Sequence, residues 1–222
     1  VRIDAFRPDG DAPRYFGVYP AIVTNITRDP DRIGRIEVRF PWLGSDGGDV
    51  RALATLCTPY ADNDQGFEII PEVDSQVVVA FEAGHLRRPY IIGACWNGRA
   101  SLPEDPEAAN NKRLIKTRAG SLLEFDDTAG AAKITLSTSG GHIVRLDDGA
   151  QEIKVQHSNG SIVKINVAGQ VSITANATVE ITASAVNVHS AAAIFDGLVQ
   201  CQSLITNAVI SPVYTPGAGN VW

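Results

Sequence analysis

Apolar residues fall on alternate positions through the C-terminal half of the chain. In QVSITANATVEITASAVNVHSAAA, residues 170–193, they stand at Val171 and Ile173, at Val179 and Ile181, and at Val186 and Val188, with small or polar residues elsewhere. Successive side chains of a strand point to opposite faces, so this spacing predicts three short strands, each with one apolar edge. Upstream, GSLLEFDD at 120–127 recurs as GHIVRLDD at 141–148 and as GSIVKINV at 160–167, at offsets of 21 and 19 residues. KITLST, EIKVQH and QVSITA follow the copies and alternate in the same way. Each unit is expected to be a two-stranded meander with a turn, and a self-similar period of this length marks a stacked β architecture. Beyond Val171 the period contracts to 8 and then 7 residues, one short strand and one turn per repeat.

From Tyr15 to Trp96 the pattern is different. YPAIVTNI, GRIEVRFPW, RALATLCTP, GFEIIP, QVVVAFE and YIIGACW are candidate strands, with turn chemistry at Asp29-Pro30-Asp31, Ser45-Asp46-Gly47-Gly48 and Ala83-Gly84. Five or six strands in about 85 residues predict a small closed barrel, which in Greek-key order is an OB-fold. Helical periodicity is weak, and the best candidate, around Pro106 to Asn111, is too short to be stable. SLPEDPEAANNK, residues 101–112, is rich in Pro, Asn and acids and reads as a linker. The expected organisation is an N-terminal extension (1–14), an OB-fold collar domain (15–100), a linker (101–118), a β-helical spike (119–210) and a C-terminal tail (211–222).

The alternation in the repeats assigns an inward face to Leu123, Phe125, Ile134, Leu136, Val144, Leu146, Ile153, Val155, Val163, Ile165, Val171, Ile173, Val179, Ile181, Val186 and Val188. A lone ribbon cannot cover that face, and the contracted units beyond Val171 are too short to enclose a core by winding alone. Three chains wound about a threefold axis can, because each supplies one side of a prism and the apolar edges meet on the axis. Strand edges are then covered by neighbouring copies. The fold class expected is all-β, an OB-fold barrel followed by an intertwined trimeric β-helix. The alternative is a single-chain meander capped by another protein.

A formal net charge of -6 argues against an electrostatically driven nucleic-acid partner, because phosphate binding needs clustered Lys and Arg. Cys57, Cys95 and Cys201 are odd in number and widely separated, so neither a disulfide framework nor a zinc site is expected. VRIDAFRPDGD at the amino end lacks the charge and apolar run of a signal peptide, and no apolar stretch approaches the roughly 20 residues of a membrane-spanning helix.

No enzyme motif is present: there is no GxSxG elbow, Walker loop, HExxH or Rossmann fingerprint, and no catalytic residue, metal site or cofactor is expected. His85, His142, His157 and His189 are far apart in sequence, and parity turns His189 outward. Asp62-Asn-Asp64-Gln-Gly66 lacks the later ligands of a calcium loop and reads as a turn. Asp126-Asp127 and Asp147-Asp148 each end a strand, where Asp is expected on conformational grounds rather than as a hydrolytic pair. Phe40 and Trp42, with Arg35 and Arg39 nearby, are the residues an OB-fold would use on single-stranded nucleic acid, and Arg87-Arg88 the nearest phosphate patch. The acidic balance favours core and turn roles for all of them.

Several stretches together resemble one family. YFGVYPAIVTN from Tyr15, DPDRIGRIEVRFPWL from Asp29, FEIIPEV from Phe67, VAFEAG from Val79 and RPYIIG from Arg88 are similar to the baseplate assembly protein V domain. That domain belongs to central spikes of contractile phage tails and to VgrG-like spikes of contractile injection systems. TRAGSLLEFDDT from Thr117 is similar to the family's junction into a trimeric β-helix. The resemblance covers roughly residues 15 to 190. It implies a structural, non-enzymatic homotrimer that punctures a target membrane mechanically and touches it only transiently, with no nucleic acid as partner. It also implies synthesis in the bacterial cytoplasm without a signal peptide and assembly in the baseplate of a phage tail-like particle.

The large domain that precedes the barrel in VgrG-like proteins is not in this sequence, so the resemblance implies either a separate hub protein at the OB-fold end or a sequence that is a fragment of a longer chain. The tail SPVYTPGAGNVW ends in prolines, glycines and a tryptophan, so three copies would form a partly apolar platform. Tyr214, Pro216, Gly217, Gly219 and Trp222 are expected to seat a PAAR-repeat tip protein or an effector, or else Tyr214 and Trp222 only cap the core. The alternatives to the puncturing spike are a spike acting chiefly as cargo carrier and, more weakly, an OB-fold nucleic-acid-binding protein.

Overall fold

The computed structural model describes residues 13–44 and 48–212. Its first body is a closed barrel of five strands: β1 (Val18–Asn25), β2 (Arg35–Arg39), β3 (Arg51–Leu56), β6 (Gln76–Phe81) and β7 (Pro89–Ala94), in the order β1-β2-β3-β7-β6, with β6 closing onto β1. The short hairpin of β4 (Ala61–Asp62) and β5 (Gln65–Gly66) stands apart in the β3 to β6 connection. Period-2 alternation builds the interior: Ala21 and Val23, Ile36 and Val38, Val77, Val79 and Phe81 are buried, joined by Phe40, Ala54 and Ile91. Closure leaves no free sheet edge in this body.

An aromatic cluster fills one end of the barrel. The rings of Tyr15, Tyr19, Trp42 and Phe81 lie within 6.4 Å of one another, Phe40 packs on Trp42 and Phe81, and Trp42 donates its Nε1–H to the Pro20 carbonyl at 2.8 Å. Buried tryptophan needs such a partner.

The Asp29-Pro30-Asp31 turn is tied by one carboxylate. Asp29 accepts backbone N–H bonds from Asp31, Ile33 and Arg35 and a two-pronged contact from the Arg35 guanidinium, and Gly34 at φ +79° lets the chain return. The Arg35 guanidinium, more than any other group, holds this carboxyl far below the usual carboxylate range. A group titrating lower when folded contributes stability that is complete above its unfolded value and is lost as the pH falls through its folded value. Asp29→Asn is therefore expected to lower the melting temperature of the barrel equally at pH 7 and pH 5, with the gap to the parent closing below about pH 4. Melting curves across that range check it, and a gap that persists unchanged at the acid end would show that the carboxylate's charge is not what ties the turn.

One sequence expectation fails here. GFEIIP is not a strand beyond Gly66: Phe67 to Ile70 run outside any sheet, with Phe67, Ile69 and Ile70 exposed. The barrel already closes with five strands, so this stretch has no edge left to join. The Ser45-Asp46-Gly47-Gly48 turn lies outside the described residues except for Gly48, whereas Ala83-Gly84 forms the expected turn, within the 3₁₀ segment Glu82–Gly84.

The second body is a seven-stranded antiparallel meander whose spatial order is the chain order: β8 (Lys112–Lys116), β9 (Leu122–Asp126), β10 (Lys133–Ser137), β11 (Ile143–Asp147), β12 (Glu152–Gln156), β13 (Ile162–Ile165) and β14 (Val171–Thr174). It opens at Lys112, inside the stretch 101–118 expected as a linker and ahead of the expected spike boundary at 119. The Pro and Asn signal ends at Asn111, and KRLIK places Leu114 and Ile115 on opposite faces, which suffices for an edge strand. Arg118 in the β8–β9 turn reaches back to Glu72 beside the barrel, Nη1 to Oε2 at 2.9 Å.

From residue 175 to 212 the described chain forms no strand, and every residue is exposed. The strands expected around Val179–Ile181 and Val186–Val188 are not formed within one chain. Their alternation is intact, but the meander ends at β14 and the described chain beyond it adds no further strand to that edge.

Candidate functional site

Register aligns the inward-face residues into two columns across the meander. Leu123, Leu136, Val144, Val155, Val163 and Ile173 stand directly opposite one another in succession from β9 to β14. Phe125, Ile134, Leu146, Ile153, Ile165 and Val171 form the second column on the same face. Ile115, opposite Leu123, extends the first column to β8. The linker assignment concealed it, although its parity with Arg113 was readable.

This face is bare. Apart from the half-buried Leu123, every member is exposed, from 38% at Val144 to 61% at Val171 and Ile173. Val179, Ile181, Val186 and Val188 continue the series in the unpaired stretch at 54–71% exposure. Charged residues of the opposite face, such as Asp126, Arg145 and Lys154, are less exposed than these aliphatic ones. An ordinary amphipathic sheet has the reverse order, and a contiguous apolar patch of this extent marks an interaction surface.

The 21- and 19-residue period has its origin in the turns. Gly141 closes a turn with its N–H on Thr138 O at 3.0 Å and φ +86°, and a Cβ there would sit 3.4 Å from Ser158 Cβ of the next turn. Gly160 repeats the arrangement against Asn176, at φ +93°. Only glycine takes that conformation without strain, so each repeat must begin with it.

The polar candidates resolve into structural roles. Asp126 accepts the Thr128 hydroxyl at 2.6 Å and its N–H at 3.0 Å, and these bonds hold its carboxyl below the usual range; Asp147 accepts the Ala150 N–H at 2.8 Å. Both aspartates shape turns, as their positions imply. Asp62 to Gly66 is the β4–β5 hairpin, with Asp64 at φ +54°.

His142 and His157 meet with ring centroids 4.4 Å apart, which their distance in sequence hid and the β11–β12 register, one step beyond Ile143 opposite Gln156, explains. The Nδ1 of each accepts a backbone N–H, from Ser158 at 3.4 Å and Asn159 at 3.1 Å. Among the described residues no group of three or more His, Cys, Asp or Glu gathers as metal ligands. His189 is exposed on the unpaired stretch.

The nucleic-acid alternative loses its residues. Phe40 is buried, Trp42 stacks on Tyr19 at 4.6 Å, Arg35 is held by Asp29 and Asp31, Arg39 faces Asp49 at 3.9 Å and Arg88 faces Glu82 at 3.3 Å. Among Phe40, Trp42, Arg35, Arg39 and Arg88 neither a free stacking face nor a free cation remains. Tyr214, Pro216, Gly217, Gly219 and Trp222, the expected tip seat, lie outside the described residues.

Comparison with known proteins agrees with this architecture. Residues 19–96 match the family described as the type VI secretion system/phage-baseplate injector OB domain. The chain is 25% identical over 174 residues to the type VI secretion system spike protein VgrG4b of Pseudomonas aeruginosa PAO1, covering 72% of this chain and 21% of that protein. It is 26% identical over 113 residues to the actin cross-linking toxin VgrG1 of Vibrio cholerae serotype O1, covering 48% of this chain and 10% of that protein. The chain thus spans about a fifth or less of the length of these relatives. Residues 19–96 are thus similar to the injector OB domain, and the antiparallel meander follows them in the stretch over which the chain resembles VgrG4b.

Proposed function

We propose that this chain is the homotrimeric central spike of a contractile injection system or phage-like tail baseplate, a structural protein without catalytic activity. The bare two-column apolar face carries this reading. It runs the length of the meander and continues, with unchanged alternation, into a stretch that has no strand partner in its own chain. Unpaired backbone beside an exposed aliphatic series asks for further strands, and two more copies supply them with identical edges. The inward residues from Leu123 to Val188 would then form the trimer core. No strand of such a prism can leave without exposing the shared interior, so it resists bending and suits mechanical puncture. Assembly would be in a tail-like particle, with a separate hub protein at the barrel end and a PAAR-type tip protein or effector at the other.

Solution mass by light scattering tests the reading. The species in solution should have three times the 23.6 kDa mass of one chain and should persist in detergent until the sample is boiled. A stable 23.6 kDa species would overturn it. Removal of Tyr214 to Trp222 is expected to leave the mass that of a trimer while weakening capture of a PAAR-type tip protein at least about tenfold, the loss of one small hydrophobic contact per chain. Equal capture by the truncated spike would refute the proposed seat.

A further inference from the structure

The polar face of the meander carries a row of three cations, of which one ion pair within the chain accounts for a single member. Register sets Arg145 of β11 directly opposite Lys154 of β12, and Lys154 directly opposite Lys164 of β13. Like charges placed opposite one another weaken a sheet. Among the described residues, Lys164 alone of the three has a carboxylate within ion-pair distance, Glu152 at 3.5 Å, and Arg145 Nε is shielded without an acceptor. On the same face, two residues along each strand, runs a second column in which Leu122, Ile143 and Ile162 alternate with Ser137, Gln156 and Thr174. Both columns run along the stacking direction, so Arg145 and Lys164 have Ile143 and Ile162 at their own level, charge and aliphatic surface side by side as in a headgroup layer.

Lys164 is also the last lysine or arginine of the chain. Beyond it Glu180 and Asp196 are the only acidic side chains, and the remainder is rich in Ala, Ser, Thr, Asn and aliphatic residues. If each contracted unit of 7 or 8 residues advances an intertwined spike by one strand spacing of about 4.8 Å, residues 165–210 of the expected spike make about six units and about 30 Å, the thickness of a bilayer's hydrocarbon core. Charge is expensive in that layer and neutral side chains are not.

We infer that the row Arg145, Lys154 and Lys164, with Leu122, Ile143 and Ile162 beside it, binds anionic phospholipid headgroups when the nearly uncharged shaft has entered a bilayer. This rests on the spike reading. Lipid is favoured over nucleic acid because the row is bounded by aliphatic side chains on one side and on the other by a column in which Asp126, Asp147 and Glu152 outnumber Lys133, itself paired with Asp126, a net negative line that disfavours a second row of phosphates.

The test is flotation of the full chain with vesicles of phosphatidylcholine alone or with about one-third phosphatidylglycerol. Binding is expected only to the anionic vesicles and should be lost at about 0.5 M salt. Because a trimer carries each substitution three times, Lys154→Gln alone, at about 1 kcal/mol per cation, should lower the partition coefficient about a hundredfold, and the triple variant Arg145→Gln/Lys154→Gln/Lys164→Gln should abolish detectable flotation at unchanged solution mass. Failure of the wild-type chain to float, or equal flotation of the variants, overturns the inference. A triple variant of altered mass would assign the row to contacts between copies and also overturn it, as would tighter binding to a single-stranded oligonucleotide than to the vesicles. A trimer that does not float removes this inference and leaves the spike reading standing.

Discussion

Ile181→Asp is expected to abolish assembly. Ile181 is 71% exposed in the single chain and lies where no intrachain strand covers it, so the substitution costs the isolated chain almost nothing. In a threefold prism the same substitution buries three carboxylates around one axis. An unpaired buried charge costs several kcal/mol, and three of them repel one another in a low dielectric. Light scattering should then show the 23.6 kDa chain or its aggregates in place of the detergent-resistant trimer. Glu180→Gln, of opposite parity on the neighbouring position, should leave the trimer intact. Should the Ile181→Asp protein still form a heat-resistant oligomer, the inward face is misassigned and the spike must be built on other contacts.

The contrast between these neighbours shows what was legible in the sequence. Alternation needs only a period of two, so the five barrel strands and the pairing faces of Val144 with Leu146 or Ile153 with Val155 could be read directly. Pairing partners are a different matter. Phe67 to Ile70 read like a strand yet find no edge, because the barrel closes without them, and closure is a property of the whole sheet. Lys112–Lys116 was hidden by the opposite error, since a linker composition up to Asn111 says nothing of the five residues after it. The contact of His142 with His157 and the Arg145, Lys154 and Lys164 row both follow from register, which fixes neighbours across strands that sequence distance conceals.

Phe40→Ala is expected to separate the two bodies thermodynamically. Phe40 is 1% exposed, and its ring packs at 5.5 Å from Phe81 and 5.9 Å from Trp42 in the cluster that fills the barrel end. Truncating a buried phenylalanine costs about 3–5 kcal/mol, the lost transfer energy plus the cavity left behind. That is a large share of the roughly 5–15 kcal/mol that holds a domain folded. The meander contributes nothing to this core, and Arg118 with Glu72, an exposed ion pair, ties the two bodies together with little energy. Calorimetry of the variant should therefore show the barrel transition moved down by tens of degrees while the transition of the interlocked shaft stays in place. Were both to fall together, barrel and shaft would melt as one unit, and the collar would be part of what holds the three chains. Independent melting would instead place the rigidity that the proposed puncture requires in the shaft alone, and would give the barrel the part of an adaptor through which force reaches it.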